Sequence, residues 1–144
     1  MTVTQLSVFT ESKPGHLAGI LNILEKANIS VRGFSVSDTG DYGIARFIVD
    51  DPDGAQKLLE ETGKAFTLKE VLCLKLADVP GELARVMGIL AECDVNVKYS
   101  YSMISTYIII STDDIDATKD ALSKEPVNII TQADIRKITA DRFA

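Results

Sequence analysis

The stretch Lys13-Pro14-Gly15-His16-Leu17 returns 66 positions later as Val79-Pro80-Gly81-Glu82-Leu83. Pro and Gly together mark a tight turn, because Pro presets φ and Gly tolerates the left-handed region. Behind each turn the apolar residues keep the same register. Leu17, Ile20, Leu21 and Leu24 are answered by Leu83, Val86, Met87 and Leu90. That i, i+3, i+4, i+7 spacing is one buried face of a helix. Next, Asn28-Ile29-Ser30-Val31 is answered by Asp94-Val95-Asn96-Val97. The register then slips by three or four residues, because the turn Asp38-Thr39-Gly40-Asp41 has no full counterpart after Met103. A turn, a helix face and a following strand repeated in one register indicate a duplicated module.

Working outward, each copy reads as strand, helix, strand, strand, helix, strand. In the first, a strand over 2–10 precedes the turn 12–15 and a helix over 17–27. Strands over 30–37 and 44–49 follow. Asp50-Asp51-Pro52-Asp53 then supplies helix-start residues for a helix over 54–61. Gly63 is a stop signal, and the last strand lies over 66–69. In the second, strands are expected over 71–76, 95–101 and 106–111, with helices over 81–92 and 115–122. A final strand is expected within 129–138, and 139–144 reads as a fraying end.

Right-handed crossovers make each copy a βαββαβ sandwich: an antiparallel sheet with both helices on one face. The expected class is therefore α+β, with two ferredoxin-like modules, 1–70 and 71–144, packed side by side. The joint at Lys69-Glu70 is too short for a free linker. Val71-Leu72-Cys73-Leu74 and Tyr107-Ile108-Ile109-Ile110 are apolar throughout, the pattern of strands covered on both faces.

Composition narrows the function. The 144 residues include 15 Lys+Arg against 21 Asp+Glu, a net charge of −6 spread evenly over both halves. Without a basic cluster, nucleic-acid binding is not expected, since neutralised phosphates supply most of that affinity. No apolar stretch approaches the roughly 20 residues of a membrane helix. The start of the chain lacks the pattern of a signal peptide, so a cytoplasmic location is expected. Cys73 and Cys93 stand alone, and His16 is the single histidine. No metal site, cofactor motif or nucleophile–base set follows from these. Thr39-Gly40-Asp41-Tyr42-Gly43 lacks the length and the Lys of a phosphate loop. Asp113, Asp114 and Asp116 read as helix-cap chemistry, and Tyr99 and Tyr101 as sheet packing.

The duplicated Pro-Gly turn, with the Asn-type step into the second strand, resembles the ACT domain family over nearly the whole chain. The resemblance implies a stand-alone, non-catalytic regulatory protein that binds a free amino acid at the interface of ACT modules. It also implies a homodimer and, as a further partner, a regulated enzyme. Family ligands meet the loop before the first helix of one module and the second-strand start of a neighbour. Carried over, the first loop is Ser12, Lys13, Pro14, Gly15, His16 and Leu17. The second is Asp78, Val79, Pro80, Gly81, Glu82 and Leu83. The second-strand starts are Ser30 and Val31, and Asn96 and Val97. The family's Asn falls on Asn96, whereas the first copy has Ser30 there. Chemically the carry-over is sound: Gly admits close approach, free amides at a helix start favour an α-carboxylate, and Asn offers both donor and acceptor. The alternative is a ligand-free interaction subunit that docks onto a metabolic enzyme.

Overall fold

A computed structural model describes the backbone of residues 2–103 and 106–143, and the side chains of these up to residue 137. The elements run in the order β1 (Val3–Glu11), α1 (His16–Lys26), β2 (Val31–Asp38), β3 (Tyr42–Val49), α2 (Pro52–Glu61) and β4 (Phe66–Lys75). They continue as α3 (Glu82–Glu92), β5 (Val97–Ser102), β6 (Tyr107–Thr112), α4 (Ile115–Ser123), β7 (Asn128–Ile130) and α5 (Gln132–Phe143). Contacts divide the chain into two compact units, one of Thr4–Lys69 with Ala133–Ala144, the other of Met1–Val3 with Glu70–Gln132.

In the unit built on the first repeat, β3 lies between β2 and β1 and pairs antiparallel with both. The chain at the start of β4 closes the other side of β1, where Phe9 N–H donates to the Ala65 carbonyl at 3.0 Å. Helices α1 and α2 bury Ile20, Leu24, Ala55 and Leu59 against Leu6, Val8, Ala45 and Phe47. The second unit repeats the arrangement as β5-β6-β4-β7, all antiparallel. Its core sets Val86, Leu90 and Leu122 against Leu72, Leu74 and Ile110.

The repeat extends to the backbone hydrogen bonds. Ile29 N–H to Leu24 C=O at 3.0 Å matches Val95 N–H to Leu90 C=O at 2.9 Å. Asn28 and Asp94 share a left-handed backbone, with φ 58° and 57°. Register irregularities fall at Val31/Gly33 in β2 and at Val97/Tyr99 in β5. Past the β2–β3 turn the copies stay matched three residues closer. Asp51 caps α2 by accepting from Gly54 N–H at 3.1 Å, and Asp114 caps α4 by accepting from Ala117 N–H at 3.0 Å. The slip expected from sequence is thus a three-residue shortening of one hairpin turn.

Two expectations are corrected. Residues 66–69 and 71–76 are not two strands but the single strand β4, because Lys69-Glu70 holds neither Gly nor Pro to break extended backbone. The final strand expected within 129–138 is only Asn128–Ile130. From Gln132 onward the chain is helix α5, which takes in 139–143. Gln132-Ala133-Asp134-Ile135-Arg136-Lys137 contains several good helix formers and a single β-branched residue. Arg136 Nε donates to the Asp50 carbonyl at 3.0 Å, and Ile135 is fully buried.

The all-apolar runs are buried on both faces of their strands. Val71 and Cys73 are as inaccessible as Leu72 and Leu74, and Ile109 as Ile110. Cys93 is exposed, and Cys73 is buried with its thiol 3.8 Å from Met103 Sδ. Among the described residues, no helix is long and apolar enough to cross a membrane.

Candidate functional site

The two Pro-Gly turns are built alike. Gly15 and Gly81 are the N-caps of α1 and α3, with φ 86° and 87°. A side chain is strained in that region, which is why glycine stands at both positions. The loops close through matched backbone bonds, Lys13 N–H to Glu11 C=O and Val79 N–H to Ala77 C=O, both at 2.9 Å. Each loop also carries a side-chain clasp from the residue after Gly. His16 Nδ1 accepts from Glu11 N–H at 2.5 Å. Glu82 accepts from Ala77 N–H. Neither residue is free at a helix start: each holds its loop against the end of the preceding strand.

The clasps differ in charge. The one at His16 is an imidazole, with Nδ1 the acceptor. Glu82 is a carboxylate that also takes Arg85 Nε at 2.6 Å, while Arg85 donates to the Pro126 carbonyl at 3.2 Å. The hydrogen bond from Arg85 does most to hold the Glu82 carboxyl below its usual range, and Glu82 in turn raises Arg85. Helix α1 has no acid in its first turn and no side-chain cap. Helix α3 has Glu82 there.

A cavity of about 370 Å³ opens beside the first turn. Ser12, Lys13, Pro14 and Leu17 form one wall; Val36, Ser37 and Asp38 from the end of β2 form another. Thr10, Glu11 and Gly43 complete it. Strand register explains the assembly, since Gly43 lies opposite both Thr10 and Asp38. A Cβ on Gly43 would fall 2.5 Å from Thr10 Oγ1 and 3.2 Å from the Ser37 carbonyl, so only glycine keeps this spacing. Asp38 accepts from the Ser12 hydroxyl and, at 2.7 Å, from Gly40 N–H. The Ser12 bond first, then the Gly40 bond, hold its carboxyl below the usual aspartate range. Lys13 Nζ pairs with Glu11 at 2.7 Å and lowers that carboxyl too. Among the described residues, no cationic side chain pairs with Asp38.

Of the residues named from sequence, Ser12, Lys13, Pro14 and Leu17 are therefore brought together, with Gly15 and His16 shaping the loop. Ser30 and Val31 stand elsewhere. Val31 begins β2 and Ser30 precedes it, whereas the pocket uses the end of the strand, about 20 Å along it. Ser30 N–H donates to Asp50 Oδ1 at 3.0 Å, and Val31 packs on the core. Asp78, Val79, Pro80, Gly81 and Leu83 form an exposed loop and helix start, with Val79 59% and Leu83 48% accessible. Asn96 is exposed just before β5, and Val97 packs on the second core. Sequence reading missed Thr10, Glu11, Val36, Ser37, Asp38 and Gly43. The signal was available in the turn Asp38-Thr39-Gly40-Asp41, which sets the β2–β3 register.

Among the described residues, no group of His, Cys, Asp and Glu is placed to hold a metal. Asp114 is the N-cap of α4, while Asp113 pairs with Lys98 at 3.1 Å and Asp116 with Lys119 at 3.4 Å. The Tyr99 and Tyr101 rings stack on one strand face, 6.4 Å apart.

No curated protein matches the sequence. Protein BT0572 from Bacteroides thetaiotaomicron has a similar structure, with a TM-score of 0.90 and 32% identity over 95% of this chain and 97% of that one. The regulatory subunit of aspartate kinase from Thermus thermophilus, in its ligand-free form, shares the fold at a TM-score of 0.61 and 19% identity, over 85% of this chain and 89% of that one. The corresponding subunit from Thermus flavus shares it at 0.59 and 17%, over 86% and 92%. The family model for the ACT domain pair matches residues 1–139. With the duplicated turn, the antiparallel βαββαβ units and this match together, the chain belongs to the ACT domain family, as an ACT domain pair.

Proposed function

We propose that the protein is a non-catalytic regulator that binds a free amino acid at a junction of ACT modules, with 1–70 and 71–144 as the modules. The observation that carries this reading is the pocket beside the first Pro-Gly turn. It offers hydroxyls from Thr10, Ser12 and Ser37, an ionised carboxylate at Asp38, and the uncapped first turn of α1. Those groups complement the two poles of a zwitterion, because helix-start amides favour a carboxylate and a carboxylate favours an ammonium. Apolar Pro14, Leu17 and Val36 give an aliphatic side chain a surface. The volume suits a ligand of amino-acid size.

The family resemblance adds contacts from a neighbouring module. Asn96 and Val97, or Ser30 and Val31, are their positions, and Asp78 to Leu83 form the second candidate loop. The fold shared with regulatory subunits of aspartate kinase supports a regulatory role. A ligand acts in such a role by binding one packing of the modules better than another.

Thermal denaturation against each of the twenty amino acids tests the proposal. A ligand that binds only the folded form raises the melting temperature, by about 2.7 kcal/mol of stability at a hundredfold excess over Kd. An unmoved melting temperature with all twenty would refute it. A second reading, a ligand-free subunit docking onto a metabolic enzyme, is favoured by the exposed apolar residues Phe34, Val36, Val79 and Leu83. Affinity capture from the native host with a metabolic enzyme retained, and no amino acid bound, would favour that reading.

A further inference from the structure

The two Pro-Gly loops have the same backbone and opposite electrostatics. At the first, a carboxylate stands across the pocket and none stands at the helix start. Asp38 supplies the former, and the first turn of α1 carries no acid. At the second, the carboxylate stands at the helix start, as Glu82. It is half-buried, bound to Ala77 N–H and paired with Arg85. No acid can play the part of Asp38 in the second copy, whatever the alignment of its shortened turn, because 95–112 contains neither Asp nor Glu.

We infer that the chain takes one α-amino acid per protomer, in the pocket of Thr10, Ser12 and Asp38, with the ligand's ammonium on Asp38, and that the second loop takes none. This rests on the amino-acid-binding reading and narrows it to one loop. Asp38 is suited to the part. Two donors fix it in place and keep it ionised, and among the described residues no side-chain cation neutralises it. The other carboxylate of the pocket, Glu11, is already matched by Lys13. The second loop is unsuited in two respects. The region facing it, 95–112, holds no carboxylate to meet an ammonium across the pocket, and Glu82, held by Ala77 N–H and Arg85, already occupies the helix start where a ligand carboxylate would seek the amides. Equal use of the two loops is therefore not expected, although their backbones superpose in hydrogen-bond pattern.

The test is isothermal titration of the intact chain with each of the twenty amino acids, followed by the N-acetyl derivative of the one that binds best. One site per chain is expected, and the N-acetyl derivative, which has no ammonium, should not bind. Asp38→Asn keeps the shape and removes the charge; it should weaken binding by about tenfold to a hundredfold, the worth of a hydrogen bond to a charged group. His16→Glu retains an acceptor for Glu11 N–H and brings the second loop's charge to the first, and it too should weaken binding. A single cooperative melting transition in each variant would show that both fold. Two equivalent sites per chain, undiminished binding by Asp38→Asn, or equal affinity for the N-acetyl derivative would overturn the inference and leave amino-acid binding standing. If none of the twenty binds, the amino-acid reading itself falls, and this inference with it.

Discussion

Asp38 shows how little of a site a single residue type declares. In sequence it opens a four-residue turn, an ordinary place for Asp. In the fold it ends β2 and faces the turn before α1, where Ser12 and Gly40 become its donors. Those bonds lower its pKa, so its folded value lies beneath its unfolded one. The sign follows from linkage: the contribution is fully present above the unfolded value of about 3.9 and is lost as pH falls through the folded value. Carbon-detected NMR of the carboxyl groups should therefore show Asp38 titrating below a reference aspartate. Ser12→Ala, which removes the largest cause, should bring it back toward that reference. His16 and Glu82 teach the converse. Their sequence positions were legible as family loop residues, but their work as loop clasps was not. It depends on the distance from each side chain to a backbone N–H five residues earlier.

At the scale of elements, caps were the most legible feature. Asp51 and Asp114 stand before Pro52 and Ile115 and accept from Gly54 and Ala117 N–H. Asp51→Ala and Asp114→Ala should each cost about 1 kcal/mol. In a chain of this size that lowers the melting temperature by roughly 2–4 °C, readable by calorimetry. Helix faces were legible for the same reason, since apolar spacing is set by local periodicity. Strand ends were not. Nothing in Lys69-Glu70 tells whether extended backbone continues, and β4 runs through it. The short β7 and the helix after it also escaped pattern reading. Three residues of strand are stabilised by pairing with β4, and α5 is weakly patterned. Both depend on partners distant in sequence.

For the whole molecule, the duplication organises each unit separately. Leu6, Val8, Ile20 and Leu24 in one core correspond to Leu72, Leu74, Val86 and Leu90 in the other. Among the described residues strand β2 pairs on one side only, and Phe34 and Val36 along it are 50% and 46% exposed. Open strand edges with apolar side chains are poised for pairing. The homodimer proposed from the family resemblance is expected to use this edge. Sedimentation velocity should give twice the monomer mass, and Phe34→Lys with Val36→Lys should reduce it to the monomer. A wild-type monomer at micromolar concentration would count against the dimer.

The sequence by itself determined the duplicated βαββαβ plan, the two helix faces, the caps and the family. Each of these is written in local spacing or in repeated residues, and local sterics and periodicity suffice to read it. Only the tertiary structure decided that β4 is one strand and that the chain ends in a helix. It also decided that Thr10, Asp38 and Gly43 share a pocket with Ser12 and Pro14. Those facts rest on strand register and on contacts across 20 or more residues, where the energy of a pairing belongs to both partners and is visible in neither alone.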